Sequence, residues 1–336
     1  MTTSGTIAAT NVDTSIVLEH ALRRAGVPTA KQTPEIVELA TDNLYLLLVS
    51  LANAGVNLWC VEKDLIGLNQ GQATYQLPPG TIDVLNLIYS QPTQITGTDT
   101  VGPNNVQTDL GATVTSQVVR AGINFNSVTA ADTLVLSSSP DGVTWTSVGS
   151  LNATQFSANG FVPGTWYWVY ADPVPNVRFW KLSTTNAMTA SATYLASSVT
   201  DLPIEIFNRD TYFAQPNKNQ QGRPCVNYFL EKLLTYQFTL WLVPNNSTDH
   251  VLAQLHRQVQ DVGSLSQQLA IPQRWYNGII WELAKILCFE LPKELIDPQT
   301  KQDVIAMAAE QVSLAELGET DGSPLRLAPV IRGYTR

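Results

Sequence analysis

Along the first ninety residues the apolar positions follow a helical period twice. In DTSIVLEHALRRAGV, Val17, Leu18, Ala21, Leu22 and Ala25 fall on one face, and Gly26 supplies a left-handed stop. TPEIVELATDNLYLLLVSLANAG follows, with Thr33 as N-cap, Pro34 at the first helical position and Glu35 and Glu38 near the positive end; Gly55 closes it. From Leu44 to Leu51 apolar residues occupy nearly the whole circumference, and a helix apolar all round is expected to be buried on every side. GQATYQLPPGTIDVLNLIY then predicts a turn, a short strand at Tyr75 to Leu77, a Pro-Pro-Gly turn and a strand ending near Tyr89.

Between residues 91 and 200 the period changes to two. QVVRAGINF, TLVLSSS, WYWVYA and RFWKLST alternate and are separated by Gly, Pro, Asn and Asp turns, which predicts an antiparallel β-sandwich. After residue 200 the pattern is mixed. YQFTLWLVP reads as a strand stopped by Pro244, and HVLAQLHRQVQDV fits both periods, with a lean to strand. IPQRWYNGIIWELAKILCFELP predicts a helix between Pro272 and Pro292, facing inward through Ile279, Ile280, Leu283, Ile286 and Leu287. DPQTKQDVIAMAAEQVSLAELG predicts another, with Asp297 as N-cap, Pro298 in the first turn and Gly318 at its end. Residues 319–336 read as an extended tail.

Charge sharpens this division. Residues 1–90 carry four basic and eight acidic side chains, 91–200 three and five, and 201–336 twelve and fifteen. The nearly uncharged middle third, with four of the eight tryptophans, reads as a domain inserted between two charged flanks. Charged residues are 14% of the chain, against about 25% in ordinary soluble domains, which suggests surface covered by a partner. The net charge of −9 comes without a Lys/Arg cluster, so tight binding to a phosphate backbone is not expected. The final thirteen residues, PLRLAPVIRGYTR, hold three arginines and no acid, a pattern suited to docking on an acidic surface. Three distant cysteines, Cys60, Cys225 and Cys288, give neither a disulfide framework nor a metal spacing and point to a reducing compartment. The opening MTTSGTIAATNVDTS does not read as a signal peptide, and no apolar run is long enough for a membrane span.

Little in the sequence points to catalysis. His250 and His256 would share a strand face but lie about 20 Å apart, too far to ligate one ion. HExxH, P-loop and GxSxG motifs are absent, and the carboxylates of GETDG and SSPDG read as turns. Neither a catalytic residue, a metal site nor a cofactor is expected, although a distant carboxylate pair for glycoside hydrolysis would be invisible in sequence. Trp145, Trp166, Trp168 and Trp180 could stack on sugars, but core packing is the expected role for most of them. Cys225 reads as a small buried hydrophobe.

The flanks resemble the head-to-tail adaptor (connector) proteins of tailed bacteriophages. The resemblance rests on the second helix ending GVNLWCVE, on GLNQGQATYQLPPGTIDVLNLIY, and on a run formed by Arg209 and Tyr212, Lys218, Gly222 and Pro224, Tyr228 and Phe229, then Trp241 and Pro244. Pro272 and Trp275 complete it, over about 1–90 and 201–336. The resemblance implies no enzyme but a virion protein, assembled in the host bacterial cytoplasm. It would form a ring, commonly of twelve copies, at the head–tail junction between the portal and the tail. Such a ring extends the DNA channel, retains the genome and carries the tail; double-stranded DNA passes through without specific binding. The implied partners are sibling subunits, the portal protein and a tail nozzle or tail tube protein, with no membrane. Leu44, Leu47, Leu48 and Leu51 would face a neighbouring subunit. Arg209, Tyr212, Asn217, Lys218, Asn219, Gln220, Gln221, Gly222 and Pro224 would form an extended interface loop. In the tail, Arg326, Arg332 and Arg336 would supply charge and Leu325, Leu327, Val330 and Ile331 apolar anchors for portal docking.

The middle third departs from smaller adaptors. LSSSPDGVTWTSVGS followed by VRFWKLS is similar to discoidin-type β-sandwiches, in which the turn made here by Ser139, Asp141, Gly142 and Trp145 packs against an R-x-x-K-L strand. Such modules often bind glycans or lipids, so glycan binding by the inserted sandwich is the alternative function, and a tail fibre or spike is a further candidate partner. The expected fold is α+β: a helical bundle core with small β elements and a long extended loop, built from 1–90 and 201–318, plus an inserted antiparallel β-sandwich at 91–200 and the tail at 319–336.

Overall fold

The computed structural model describes residues 12–53, 60–111, 118–157, 159–174, 177–259, 264–269, 271–292 and 296–318. Two compact units emerge, one of residues 1–59 with 259–336 and one of residues 60–258.

The first unit is helical. Helix α1 (Thr14–Arg24) buries Val17, Leu18, Ala21 and Leu22, and Gly26 at φ +93° reverses the chain after it. Helix α2 (Pro34–Asn53) follows. Its Leu44, Leu47 and Leu48 are buried by the chain itself and Leu51 is half-buried, whereas Leu46 and Val49 are exposed. The apolar girth of α2 is therefore divided between a face covered within one molecule and a face open to solvent. Two short helices, α3 (Ala153–Phe156) and α4 (Arg209–Phe213), belong to the other unit, and α5 (Gln273–Glu290) and α6 (Pro298–Leu317) complete this one among the described residues. Helix α5 buries Trp275, Ile279, Ile280, Leu283 and Leu287 as the period requires, with Ile286 half-buried. Asn43 of α2 donates to Glu290 at the end of α5. Asp297 caps α6 by accepting from the amides of Gln299 and Thr300.

The second unit is built from strands: β1 (Val61–Gly67), β2 (Thr74–Gln76), β3 (Thr81–Ile95), β4 (Thr98–Val101), β5 (Asn105–Asp109), β6 (Arg120–Ser127), β7 (Thr133–Ser139), β8 (Thr146–Asn152), β9 (Trp166–Tyr170), β10 (Phe179–Ser183), β11 (Thr189–Pro203), β12 (Glu205–Phe207), β13 (Gln221–Gly222), β14 (Asn227–Glu231), β15 (Gln237–Trp241), β16 (Val243–Pro244) and β17 (His250–Arg257). Six of them close into a barrel in the order β1-β17-β3-β11-β6-β9, sealed where Ile66 pairs with Tyr167. One outer face of the barrel packs on the sheet β4-β5-β10-β7-β8, and the sandwich core between them holds Ile123, Phe125, Tyr167 and Leu195 against Leu134, Leu136, Trp180 and Leu182. The sheet β12-β14-β15-β2 covers another face, where Tyr75, Tyr228 and Phe238 meet Leu87, Tyr89, Val251 and Leu255.

The expected helical bundle core with small β elements is thus corrected. Seventeen strands stand against six α-helices among the described residues, and α3 and α4 are no longer than five residues each. The flanks contribute barrel strands instead of minor β elements: β1 and β17 come wholly from them and β3 begins in the first of them. The β-sandwich of the middle third is present, and the two-period reading of its alternating runs matches β6, β7, β9 and β10.

Candidate functional site

A cleft of about 580 Å³ opens in the β unit. One lip is the β2 strand and the Pro78–Pro79–Gly80 turn that follows it. A second lip is the last residue of α3, Phe156, with Ser157 and Asn159 after it, and the third is the β14–β15 hairpin with Leu234, Thr235, Tyr236 and Gln237. Gly67, Trp166 and Tyr167, at the junction of β1 and β9, also line it. Its volume falls in the range usual for small-molecule sites. No charged side chain lines it among the described residues. Its polar surface consists of amides and hydroxyls, with Gln72, Thr74, Gln76, Asn159 and Thr235 exposed and Tyr236 and Gln237 half-buried, and the half-buried Phe156 ring lies beside them.

Several of these groups are fixed before any ligand arrives. The Tyr75 hydroxyl accepts from the Asn69 amide and donates its one hydrogen toward the Gln72 carbonyl at 3.0 Å, with the Asn69 carbonyl also within reach at 3.2 Å, which holds the loop between β1 and β2. Burial pushes the Tyr75 phenol well above its usual range, so it stays neutral. Asn69 Nδ2 donates to Gln72 Oε1, and Gln72 Nε2 donates to the Thr74 carbonyl. Gln237 donates its amide to Glu231. Nearby charges are engaged elsewhere: Lys232 pairs with Asp83 at 2.9 Å, and Arg257 pairs with Glu62.

Two polar clusters lie deeper. Arg120 donates to His250 Nε2 at 2.5 Å and reaches Asp201, which accepts from Ser90. Burial, then the Arg120 charge, holds the His250 imidazole well below its ordinary pKa, and its Nδ1 is buried without a partner. In the other cluster Asp249, fully buried, accepts from Tyr89, Arg223 and Asn246. Cys225 beside it is buried and its thiol is pushed up to about 12, consistent with an inert core cysteine. These clusters hold strands together; neither opens on the cleft.

The interface loop expected at Arg209–Pro224 folds back on its own unit. Arg209 and Tyr212 lie in α4, capped by Asn208, and Tyr212 stacks on Phe229 with centroids 5.0 Å apart. Lys218 donates to the carbonyls of Phe213 and Gln215, and the Asn217 carbonyl accepts from Trp241 Nε1. Gln220 accepts from Val243, while Gln221 and Gly222 pair with β16. Asn217, Asn219, Gln220 and Gln221 remain exposed, and Pro224 is half-buried. Leu325, Arg326, Leu327, Val330, Ile331, Arg332 and Arg336 lie outside the described residues. Of the four middle-third tryptophans, Trp166, Trp168 and Trp180 are buried, and half-buried Trp145 sits under Lys181 Nζ at 4.1 Å. The discoidin-like turn is formed: Asp141 Oδ1 accepts from Ser139 Oγ and from the amides of Val143 and Thr144. The cleft was not singled out in sequence, because its lips come from three distant segments whose Gln, Asn and Thr residues look like ordinary loop polarity.

No family model matches the chain, and no curated protein matches it. Among solved structures, the carbohydrate-binding module CBM32-1 from a family 31 glycoside hydrolase of Clostridium perfringens is similar at 19% identity over 40% of this chain and 93% of that one, with a TM-score of 0.22. CBM32-3 of a Clostridium perfringens family 31 glycoside hydrolase aligns at 10% identity over 42% and 91%, TM-score 0.20. The C-terminal domain of a chitobiase from Bacteroides fragilis aligns at 13% identity over 29% of this chain and 64% of that one, TM-score 0.21. Likenesses this slight fix neither the fold nor a ligand, and the named structures lend no support to the adaptor resemblance of the flanks.

Proposed function

We propose that the β unit is a non-catalytic carbohydrate-binding module and that the cleft beneath the β14–β15 hairpin is its site. The observation that carries this reading is the lining: a cavity of about 580 Å³ walled by neutral amides, hydroxyls and aromatic rings without a charged side chain among the described residues. Neutral polyhydroxylated ligands need this combination. Amides and hydroxyls donate and accept toward sugar hydroxyls, while an aromatic ring such as Tyr236 or Phe156 covers the apolar face of a pyranose. An ionic ligand would leave water for a site with no counter-charge, at a cost of several kcal/mol. The test is a glycan array followed by calorimetry with Tyr236→Ala. Binding to neutral glycans that weakens at least tenfold in the variant supports the reading; an empty array, or binding indifferent to Tyr236, overturns it.

A second reading has its own observation. Helices α2 and α6 expose Leu46, Val49, Leu314 and Leu317, apolar side chains of the kind that a partner surface covers. This favours assembly, and a virion ring between portal and tail is the form that the flank resemblance implies. Native mass spectrometry with and without a portal protein distinguishes it: rings support assembly, and a persistent monomer in both samples removes this reading while leaving the first intact.

A further inference from the structure

Arg257 ends β17, and its side chain is 11% exposed. Its Nη2 donates to the Pro79 carbonyl at 2.8 Å and to the Gln155 carbonyl at 3.3 Å, while Nη1 pairs with Glu62. Pro79 belongs to one lip of the cleft, and Gln155 is the residue before Phe156 on another. These lips are 76 positions apart in sequence and share no strand pairing. We infer that Arg257 is the positioning residue of the cleft: it touches no ligand, and it sets the separation of the lips by holding one carbonyl of each on a single planar guanidinium.

Geometry explains why arginine is needed. A guanidinium carries five N–H donors in a fixed fork, so one group can serve two carbonyls and a carboxylate at defined angles. A lysine ammonium at the same place is a point charge on a flexible stem and cannot impose the spacing. The neighbouring backbone supports the same anchorage, because the Gln258 amide donates to the Gly80 carbonyl at 2.7 Å, tying the first lip to the end of β17. The bond to Gln155 lies at the end of the four-residue α3, whose own backbone bonds are too few to fix its direction. The identity of the ligand rests on the carbohydrate reading; the brace does not.

The experiment compares the full chain with Arg257→Lys and Arg257→Gln by hydrogen exchange and by calorimetry against the tightest glycan from the array. Exchange at the amides of Gly80 and Thr81, and of residues 154–157 and 159, is expected to rise at least tenfold in both variants, with the amides of 237–241 unchanged. Glycan affinity is expected to fall at least tenfold in both variants. Uniform acceleration across the unit would mean a merely structural arginine and overturn the inference, as would unchanged exchange at the lips. Lip exchange that rises while affinity stays at the wild-type value also overturns it, because the spacing would not matter to the site. If the wild-type chain binds no glycan, the carbohydrate reading fails, and the exchange comparison alone still decides whether Arg257 braces the lips.

Discussion

The His250 imidazole lies against the Trp168 indole, ring centroids 4.3 Å apart and planes 30° from parallel, while Arg120 donates to its Nε2 from the other direction. A neutral imidazole suits this place: its Nε2 lone pair accepts from the guanidinium, and protonating that nitrogen would set two cations in contact.

From this follows a pH dependence of stability. The folded state holds the His250 pKa well below the ordinary 6.5, so the unfolded chain binds the extra proton first. The contribution is complete above about pH 6.5 and is lost as the pH falls below it, at up to about 1.4 kcal/mol per pH unit. Urea denaturation of the wild type and of His250→Gln at a series of pH values from 7.5 to 5 should differ by this slope: the variant is less stable throughout, but its deficit shrinks as the pH falls, because the contributions of Asp64 and His256 are common to both.

Asp64 works in the opposite sense. Burial raises its carboxyl from 3.8 to about 6, against the pull of Arg257, and its Oδ2 is buried without a partner. Here the folded state binds the proton more tightly, so stability falls as the pH rises from about 4 to about 6 and the full cost is present above that. The cost is on the order of 3 kcal/mol. Asp64→Asn should therefore raise the urea midpoint at pH 7 and change little at pH 4. A midpoint that moves equally at both values would show that packing, not ionisation, is responsible.

Gly67 marks where the barrel closes beside the cleft. A Cβ built there would sit 2.1 Å from the Trp166 carbonyl oxygen, so β1 and β9 can approach this closely only with glycine. Gly67→Ala should destabilise the β unit by about 1–3 kcal/mol, the usual cost of forcing extra volume into a packed site. It should also wet Trp166. Thermal unfolding and a red-shifted tryptophan emission check both outcomes together.

The local elements were more legible than the way they join. Helices α1, α5 and α6 announced themselves through period and caps, because Asp297 and Gly26 act on their own neighbours. The alternating runs of β7 and β10 were equally clear, since Leu134, Leu136, Trp180 and Leu182 face one shared core. The barrel was hidden. Strand β1 begins Val-Glu-Lys-Asp and buries only its last three residues, so its strand character comes from pairing with β17, which starts 189 residues after it. In β11 a register shift between Ala196 and Ser198 breaks the two-residue period that would have revealed a fifteen-residue strand. Apolar girth misled for α2, because a count around the helix does not tell Leu44 and Leu48, covered by the chain itself, from Leu46 and Val49. The cleft could not be read at all: Gln76, Asn159 and Tyr236 meet only through the completed sheets.

Asp249 offers the sharpest test of how the segment between β13 and β14 is tied to the barrel. Its carboxylate accepts from the Tyr89 hydroxyl in β3, from Arg223 Nε and Nη2 at 2.8 and 2.9 Å, and from Asn246 Nδ2 at 2.8 Å. The aspartate is fully buried whereas the Arg223 side chain is 43% exposed, so the arginine is the partner that water can still serve. Arg223→Met leaves the fully buried carboxylate without its cation and should cost about 3–5 kcal/mol, as leaving one charge of a buried pair uncompensated does. Asp249→Asn should cost less, because the charge it leaves behind is the half-exposed Arg223 guanidinium. Denaturant melts of the two variants decide the order: an equal loss in both would mean that the pair acts as one unit, and a larger loss for Asp249→Asn would show that the hydrogen bonds from Tyr89 and Asn246 to the carboxylate outweigh its pairing with the cation.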